Sequence, residues 1–309
     1  MANVSLSTRP DRVLEGVAAA ERFLLDRQSA DGFWRDYSAL EPGPSEAWVT
    51  AVVACALTAP PANGRVAAVA AAGESLHSVR KVDGWGYNRH TATDADTTAW
   101  TWRFLARIDD YRSLSPIADL KEFVSSDGAV RTFRGDHFGA WANTHADVTP
   151  LVGLALIATH ADPELVNCVR AASLSHLDPR RLWRSYWWTC DAYAIARNIE
   201  FLSAHRGISQ TVEELIRGWL RTQTIGPSCF DVAQQLTTAS CTASPDAERF
   251  CRALLDAQGP DGGWPQSRTL LVPGQHPAQP GAALNAYADE QRLMTTAMAV
   301  TALKTRLFR

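Results

Sequence analysis

Asp94-Ala95-Asp96-Thr97-Thr98-Ala99-Trp100 puts two carboxylates two residues apart at the start of a helical pattern. It follows Asp83-Gly84-Trp85-Gly86, and no other segment of the chain has this form. Paired acids at a helix mouth repel each other unless one of them stays protonated. A buried carboxyl group that keeps its proton can deliver it, so general-acid chemistry is the first expectation. The helix N-terminus works against this, because it favours carboxylate over carboxylic acid by ~0.3–1 kcal/mol. Burial has to outweigh that preference.

The elements that must hold such a pair are helices. A polar or acidic residue followed by an Ala/Leu/Thr-rich helical pattern recurs six times, starting near Ser45, Asp94, Asp147, Asp191, Asp231 and Asp289. Ser and Asp are good N-caps, and the small apolar residues that follow are those of helices buried all round. Amphipathic helices lie between, over 14–27, 116–124, 164–174, 212–222 and 246–257. Six buried inner helices with amphipathic outer partners make an all-α architecture, an α/α toroid closed on itself, expected as one domain over residues 1–309. No alternating run argues for a sheet.

Gln28-Ser29-Ala30-Asp31-Gly32-Phe33-Trp34 and Gln258-Gly259-Pro260-Asp261-Gly262-Gly263-Trp264 each end an outer-type helix. Val82-Asp83-Gly84-Trp85, Ser126-Asp127-Gly128 and Leu220-Arg221-Thr222-Gln223 are partial copies. Their expected work is stapling: Gln bonds free groups at helix ends, Gly permits a tight turn, and Trp stacks on the Gln.

The bulk composition is that of a globular chain, with 309 residues, 46% hydrophobic and 20% charged. The net charge of −3 and scattered Lys and Arg argue against nucleic acid. The apolar window 52–72 is broken by Pro60, Pro61, Asn63, Gly64 and Arg65, so it reads as two helices and a loop rather than a membrane span. The polar N-terminus Met1-Ala2-Asn3-Val4-Ser5 argues against a secretory leader. Six Cys without a C-x-x-C pair read as reduced, buried thiols of a cytoplasmic protein. Eleven Trp are many, and they point to large packed interfaces or an aromatic pocket.

The Gln-x-x-Asp-Gly-x-Trp elements resemble the QW repeats of squalene–hopene cyclases and related class II terpene cyclases. Gly84-Trp85-Gly86-Tyr87 followed by Asp94-Ala95-Asp96-Thr97-Thr98-Ala99 is similar to that family's Gly-Trp-Gly-Phe and Asp-x-Asp-Asp-Thr-Ala, and Asp147-Val148-Thr149 to its Asp-Val-Thr. The resemblance covers roughly 14–304. It implies that Asp96 is the proton donor, with Asp94, Thr97 and Thr98 around it. Thr97 stands where the family usually has Asp, a form similar to that of drimane-type cyclases. Leu151 stands where hopene cyclases have a His, leaving His145, Asp147, Tyr186 or Asp191 to contact the acid. The chain matches only the β-type domain, so the resemblance implies either a covering partner subunit or second copy, or a smaller substrate.

The chemistry so implied is protonation of an alkene or epoxide in a prenyl diphosphate, C15 or C20, or in a prenylated small molecule, followed by cyclisation of the carbocation. Aromatic faces stabilise such cations by ~0.5–2 kcal/mol each. Trp100, Trp102, Trp141, Tyr186, Trp187 and Trp188 are candidates for the wall, with 183–189 the richest run. Arg89, His90, Arg131, Arg134 and Arg184 are candidates for holding a diphosphate, with Mg²⁺ as its counter-ion; no protein-bound metal or other cofactor is expected. Three other readings stay open. One is a zinc-dependent prenyltransferase β-like subunit using Cys190, Asp191 and His137 or His145. The others are a non-catalytic toroid and a toroid recruited to a non-terpenoid substrate.

Overall fold

The computed structural model describes residues 10–60, 66–112, 114–274 and 285–308. Residues 1–5 and 61–65, on which the leader and loop expectations rest, lie outside these ranges. Six helices form the inner ring: α2 (Ala47–Thr58), α4 (Ala95–Arg107), α6 (Thr149–Ala158), α8 (Ala192–Ala204), α10 (Cys229–Cys241) and α12 (Leu293–Phe308). Each packs on the next, and α12 returns to α2, which closes the toroid. The outer layer is α1 (Pro10–Leu25), α3 (Val66–Ser78), α5 (Pro116–Lys121), α7 (Pro163–Ser175), α9 (Gln210–Thr222) and α11 (Ala247–Ala257). The expected division holds in the packing. Inner α2 is buried on every side from Ala47 to Leu57, whereas outer α9 buries only the stripe Val212, Ile216 and Leu220.

One inner-helix start works as expected. Asp94 is the N-cap of α4 and accepts the Thr97 amide. The others bond further afield. Ser45 Oγ donates to the Tyr87 carbonyl, Asp191 accepts from the Ser185 amide, and Asp231 lies inside α10, which Ser228 caps. Asp147 takes the amides of Tyr186 and Trp187. Asp289 accepts from Ser267 at 2.7 Å and, from outside α12, from Thr295 at 2.7 Å. Asp147 thus ties two loops together, and Asp289 ties a loop to α12.

The repeated turns are staples built from two bonds. The indole N–H of Trp34, Trp85, Trp183 and Trp264 donates to the carbonyl of Leu24, Leu76, Ser173 and Leu254, at 2.6–2.7 Å, at or near the end of an outer helix. The backbone N–H of Trp34, Trp85 and Trp264 donates to Thr50, Thr98 and Thr296 on the adjacent inner helix. Gln28 and Gln258 bond carbonyls within their own turn and on a neighbouring helix (Ala68 and Gly16). Gly32 and Gly262 sit at φ +83° and +88°, and a Cβ there would strike the Ala71 and Ala19 carbonyls. Only glycine fits these turns.

Two features depart from expectation. A short antiparallel hairpin, β1 (Arg268–Val272) and β2 (Asn285–Ala288), lies beside the ring although no alternating run announced it. Its edge is satisfied by the 187–189 segment: Thr189 donates to Thr269 and Leu271 to Trp187. The thiols are not uniformly buried, since Cys168 is exposed and Cys190 and Cys241 are half-buried; none is in a disulfide. Among the described residues no helix is long and apolar enough to cross a membrane.

Trp264→Phe keeps the ring volume but leaves the buried Leu254 carbonyl unbonded. It should lower the free energy of unfolding by about 1–3 kcal/mol, read as a lower urea midpoint at unchanged slope.

Candidate active site

The N-terminal ends of α2, α4, α6 and α8 meet at one cavity, and that end holds the motif acids. Asp94, as N-cap, spends both carboxylate oxygens on Thr97: Oδ1 accepts its amide at 2.7 Å and Oδ2 its hydroxyl at 2.9 Å. Thr97 is three residues past the cap, the position that side-chain capping reaches. It therefore bonds Asp94 rather than the Asp96 carboxyl that the resemblance places it around. Thr98 belongs to the staple, exchanging bonds with the Trp85 backbone at 3.1 Å.

Asp96 is left over. Its Oδ1 is buried without a hydrogen bond. What surface it keeps faces a cavity that opens to solvent. Burial, and then the charges of Asp94 and Asp147, hold its carboxyl well above the usual carboxylate range; the Trp48 indole and Arg197 pull the other way. Burial pushes Asp94 and Asp147 up to about 6, and each is held back by hydrogen bonds to its carboxylate.

The cavity wall is aromatic and aliphatic. Trp48, Tyr87, Phe133, Trp187, Trp188 and Tyr193 supply rings, and Ala39, Leu40, Val148, Leu270 and Val272 supply alkyl surface. Asp94, Asp96, Thr97, Thr132 and Asp147 are its polar members. Trp188 stacks between Trp48 (5.9 Å) and Phe230 (4.4 Å), with Tyr193 at 4.5 Å. The 186–188 segment is not helical and runs beside β1, to which its backbone is hydrogen-bonded. Trp187 and Trp188 reach the cavity.

The remaining expected residues take other places. Tyr186 stacks on His145 at 3.9 Å, outside the lining. His145 bonds Thr132 Oγ1 through Nδ1 at 2.8 Å, and burial pushes it down to about 4, so it is neutral. Asp147 is brought to the cavity, its Oδ2 accepting Tyr186 and Trp187 amides at 2.8 and 2.9 Å. Trp141 stands behind the wall, stacked on Phe133 at 5.6 Å and donating to the Pro273 carbonyl. Trp102 packs edge-on to Trp85 and donates to Asp119. Trp183 is a staple. Trp100 lies under the cavity floor with the Arg103 guanidinium 4.4 Å from its ring centroid. Leu151 is fully buried in the core.

The expected diphosphate clamp does not assemble. Arg89 is paired with Glu46 at 2.6 Å. Arg134 is paired with Asp83 and covers the Phe123 ring. Arg184, His90 and Arg131 are exposed. Among the described residues no Lys, Arg or His lines the cavity. Nor do Cys190, Asp191, His137 and His145 converge on a metal-sized point: no group of three such ligands forms among the described residues.

Sequence reasoning missed Trp48, Phe133 and Tyr193. A signal existed for Tyr193, which follows Asp191 at the spacing by which Asp96 follows Asp94. Leu270 and Val272 come from the unforeseen hairpin.

No family model matches the chain, and no curated protein matches it. Solved structures do. Type II terpene cyclase MstE from Scytonema superposes with a TM-score of 0.84 at 23% identity, covering 97% of this chain and 99% of that one. A protein from Actinoplanes gives 0.78 at 26% identity, over 95% and 99%. ent-Copalyl diphosphate synthase from Streptomyces platensis gives 0.62 at 19% identity, over 84% of this chain and 50% of that one. The shared property is the fold, the α/α toroid.

A carboxyl raised by burial is more protonated in the folded than in the unfolded chain above its ordinary value, so its stabilising share is full at low pH and is lost as pH rises through the folded value. For Asp147 the window is about 4 to 6. Asp147→Asn keeps an acceptor for the two amides and removes the titration. The variant should gain on wild type across this window by on the order of 3 kcal/mol, read from thermal midpoints at stepped pH.

Proposed function

We propose that this protein is a class II terpene cyclase-like enzyme, with Asp96 as the general acid that starts cyclisation of an isoprenoid chain. The observation carrying this reading is a buried carboxyl, without a hydrogen bond at Oδ1 and pushed toward its protonated form by burial, that lines an aromatic cavity. An alkene is a very weak base, and only a strong acid in a water-poor site protonates it. The Asp96 O–H bond breaks as a C–H bond forms at the terminal double bond. Positive charge then moves along the chain past Trp48, Trp187, Trp188 and Tyr193, each face contributing about 0.5–2 kcal/mol. Asp94 and Asp147 keep the proton on Asp96 before substrate arrives. Leu270 and Val272 from the same chain complete part of the cavity lining, which supports one toroidal domain as the catalytic unit.

A prenylated small molecule fits better than a prenyl diphosphate, because among the described residues no cation lines the cavity and Arg89 and Arg134 are paired with carboxylates elsewhere. Mg²⁺ would enter only with a diphosphate. MstE has been solved with geranylgeranyl dihydroxybenzoate as substrate and with merosterolic acid A as product. Its fold is the one shared here, and a prenylated aromatic acid is the first substrate class to test.

The test is incubation with C10, C15 and C20 prenyl diphosphates and with farnesyl and geranylgeranyl dihydroxybenzoates, followed by product analysis. Wild type should cyclise a prenylated aromatic, and Asp96→Asn should lose at least about 10³-fold in kcat. Turnover surviving that substitution would remove Asp96 from its role. Absence of cyclised product from every substrate would leave only the toroid.

A further inference from the structure

Below the cavity the barrel holds charge. Arg103 on α4 and Arg197 on α8 are buried at 5% and 1% exposure. Both reach Glu200, each at 2.5 Å, and Gln234 on α10 accepts a further bond from Arg197 at 3.2 Å. Two guanidiniums thus share one carboxylate. Apolar side chains would fill this place at lower cost, since a buried surplus charge is unfavourable without a partner. The Arg197 guanidinium lies 5.6 Å from the Tyr193 ring centroid, and Tyr193 and Asp96 line the same cavity.

The titratable groups facing Asp96 are Asp94 on its own helix, Asp147 ahead of α6, and Tyr193 and Arg197 on α8; α2 presents Trp48, which does not titrate. Arg197 is the cation in this set. It is itself faced by Glu200 and Tyr193 on α8 and Cys55 on α2, and Glu200 and Cys55 are faced in turn by Arg103 and Arg107 on α4. Before proton transfer Asp96 is neutral and the surplus positive charge is idle. When the O–H bond breaks and the substrate C–H bond forms, a negative charge appears on Asp96 while the carbocation moves away.

We propose that Arg197, held under Tyr193 by Glu200 and Gln234, is a positioning residue whose charge balances the Asp96 carboxylate once its proton has gone to the substrate. This rests on the cyclase reading above. Arg197 raises acid strength without touching the reacting atoms, and Glu200 sets how much of its charge is felt.

The test uses Arg197→Met, Arg197→Lys and Glu200→Gln with two readouts. One is steady-state kinetics against pH. The other is infrared titration of the Asp96 carboxyl in the resting protein, its band identified by loss in Asp96→Asn. Arg197→Met should lower kcat roughly 10- to 100-fold with KM within about threefold, and move Asp96 deprotonation to higher pH. Glu200→Gln leaves more positive charge and should move it to lower pH. Arg197→Lys should stay near wild type in pH. A merely structural role would lower activity without opposite shifts. Should Arg197→Met fail to fold, Glu200→Gln and Arg197→Lys decide: an Asp96 titration unmoved by Glu200→Gln overturns the proposal. Inactivity of wild type on every prenyl substrate strikes the cyclase reading instead, while the infrared titration still reports on the coupling.

Discussion

Three carboxyl groups are buried at the positive ends of the inner helices around one cavity, and the competition between burial and helix field organises this end of the molecule. Each helix N-terminus favours the charged form by a fraction of a kcal/mol to about 1 kcal/mol. Withdrawal from water favours the neutral form by more. Hydrogen bonds settle which acid carries the proton. Asp94 has the Thr97 amide and hydroxyl, and Asp147 has two loop amides, so both can bear charge. Asp96 Oδ1 has no such bond, so protonation of that carboxyl is the inexpensive way to bury the set.

The same arrangement leaves helix-end carbonyls at the opposite end, and there the chain places cations. Arg107 donates to the Cys55 carbonyl, and Lys304 to Ala56 and Ala59, all at the end of α2. Arg103 and Arg197 sit midway with Glu200. Acids and aromatic rings thus share the cavity at one end, and paired bases lie beyond it. Such a separation follows from aligning the helices, because each end of the macrodipole attracts opposite charge.

The toroid was legible because its signal repeats: six apolar segments with polar starts and two full Gln-to-Trp turns can close only as paired helices around a ring. Asp94 and Asp96 were legible because their spacing is local. What stayed hidden depends on partners distant in sequence. Asp147 and Asp289 look like caps, yet they bond amides 39 and 22 residues away. Arg89 and Arg134 look available, and neighbouring carboxylates take them. The hairpin hides because β1 satisfies its edge against an aromatic strip and needs no alternating pattern of its own.

Tryptophan shows why type alone could not separate scaffold from site. Trp34, Trp85, Trp183 and Trp264 have their indole N–H on a helix-end carbonyl, and Trp187 has Thr132 at 3.0 Å. Trp48 differs: its buried N–H closes no well-formed bond, and it lies beside the equally unbonded Asp96. An unsatisfied buried donor costs about 1–3 kcal/mol. An indole N–H can donate to either form of a carboxyl group and bonds the carboxylate more strongly, because a charged acceptor makes the stronger bond. That preference for the charged form is the direction the proposed proton-donating role of Asp96 requires.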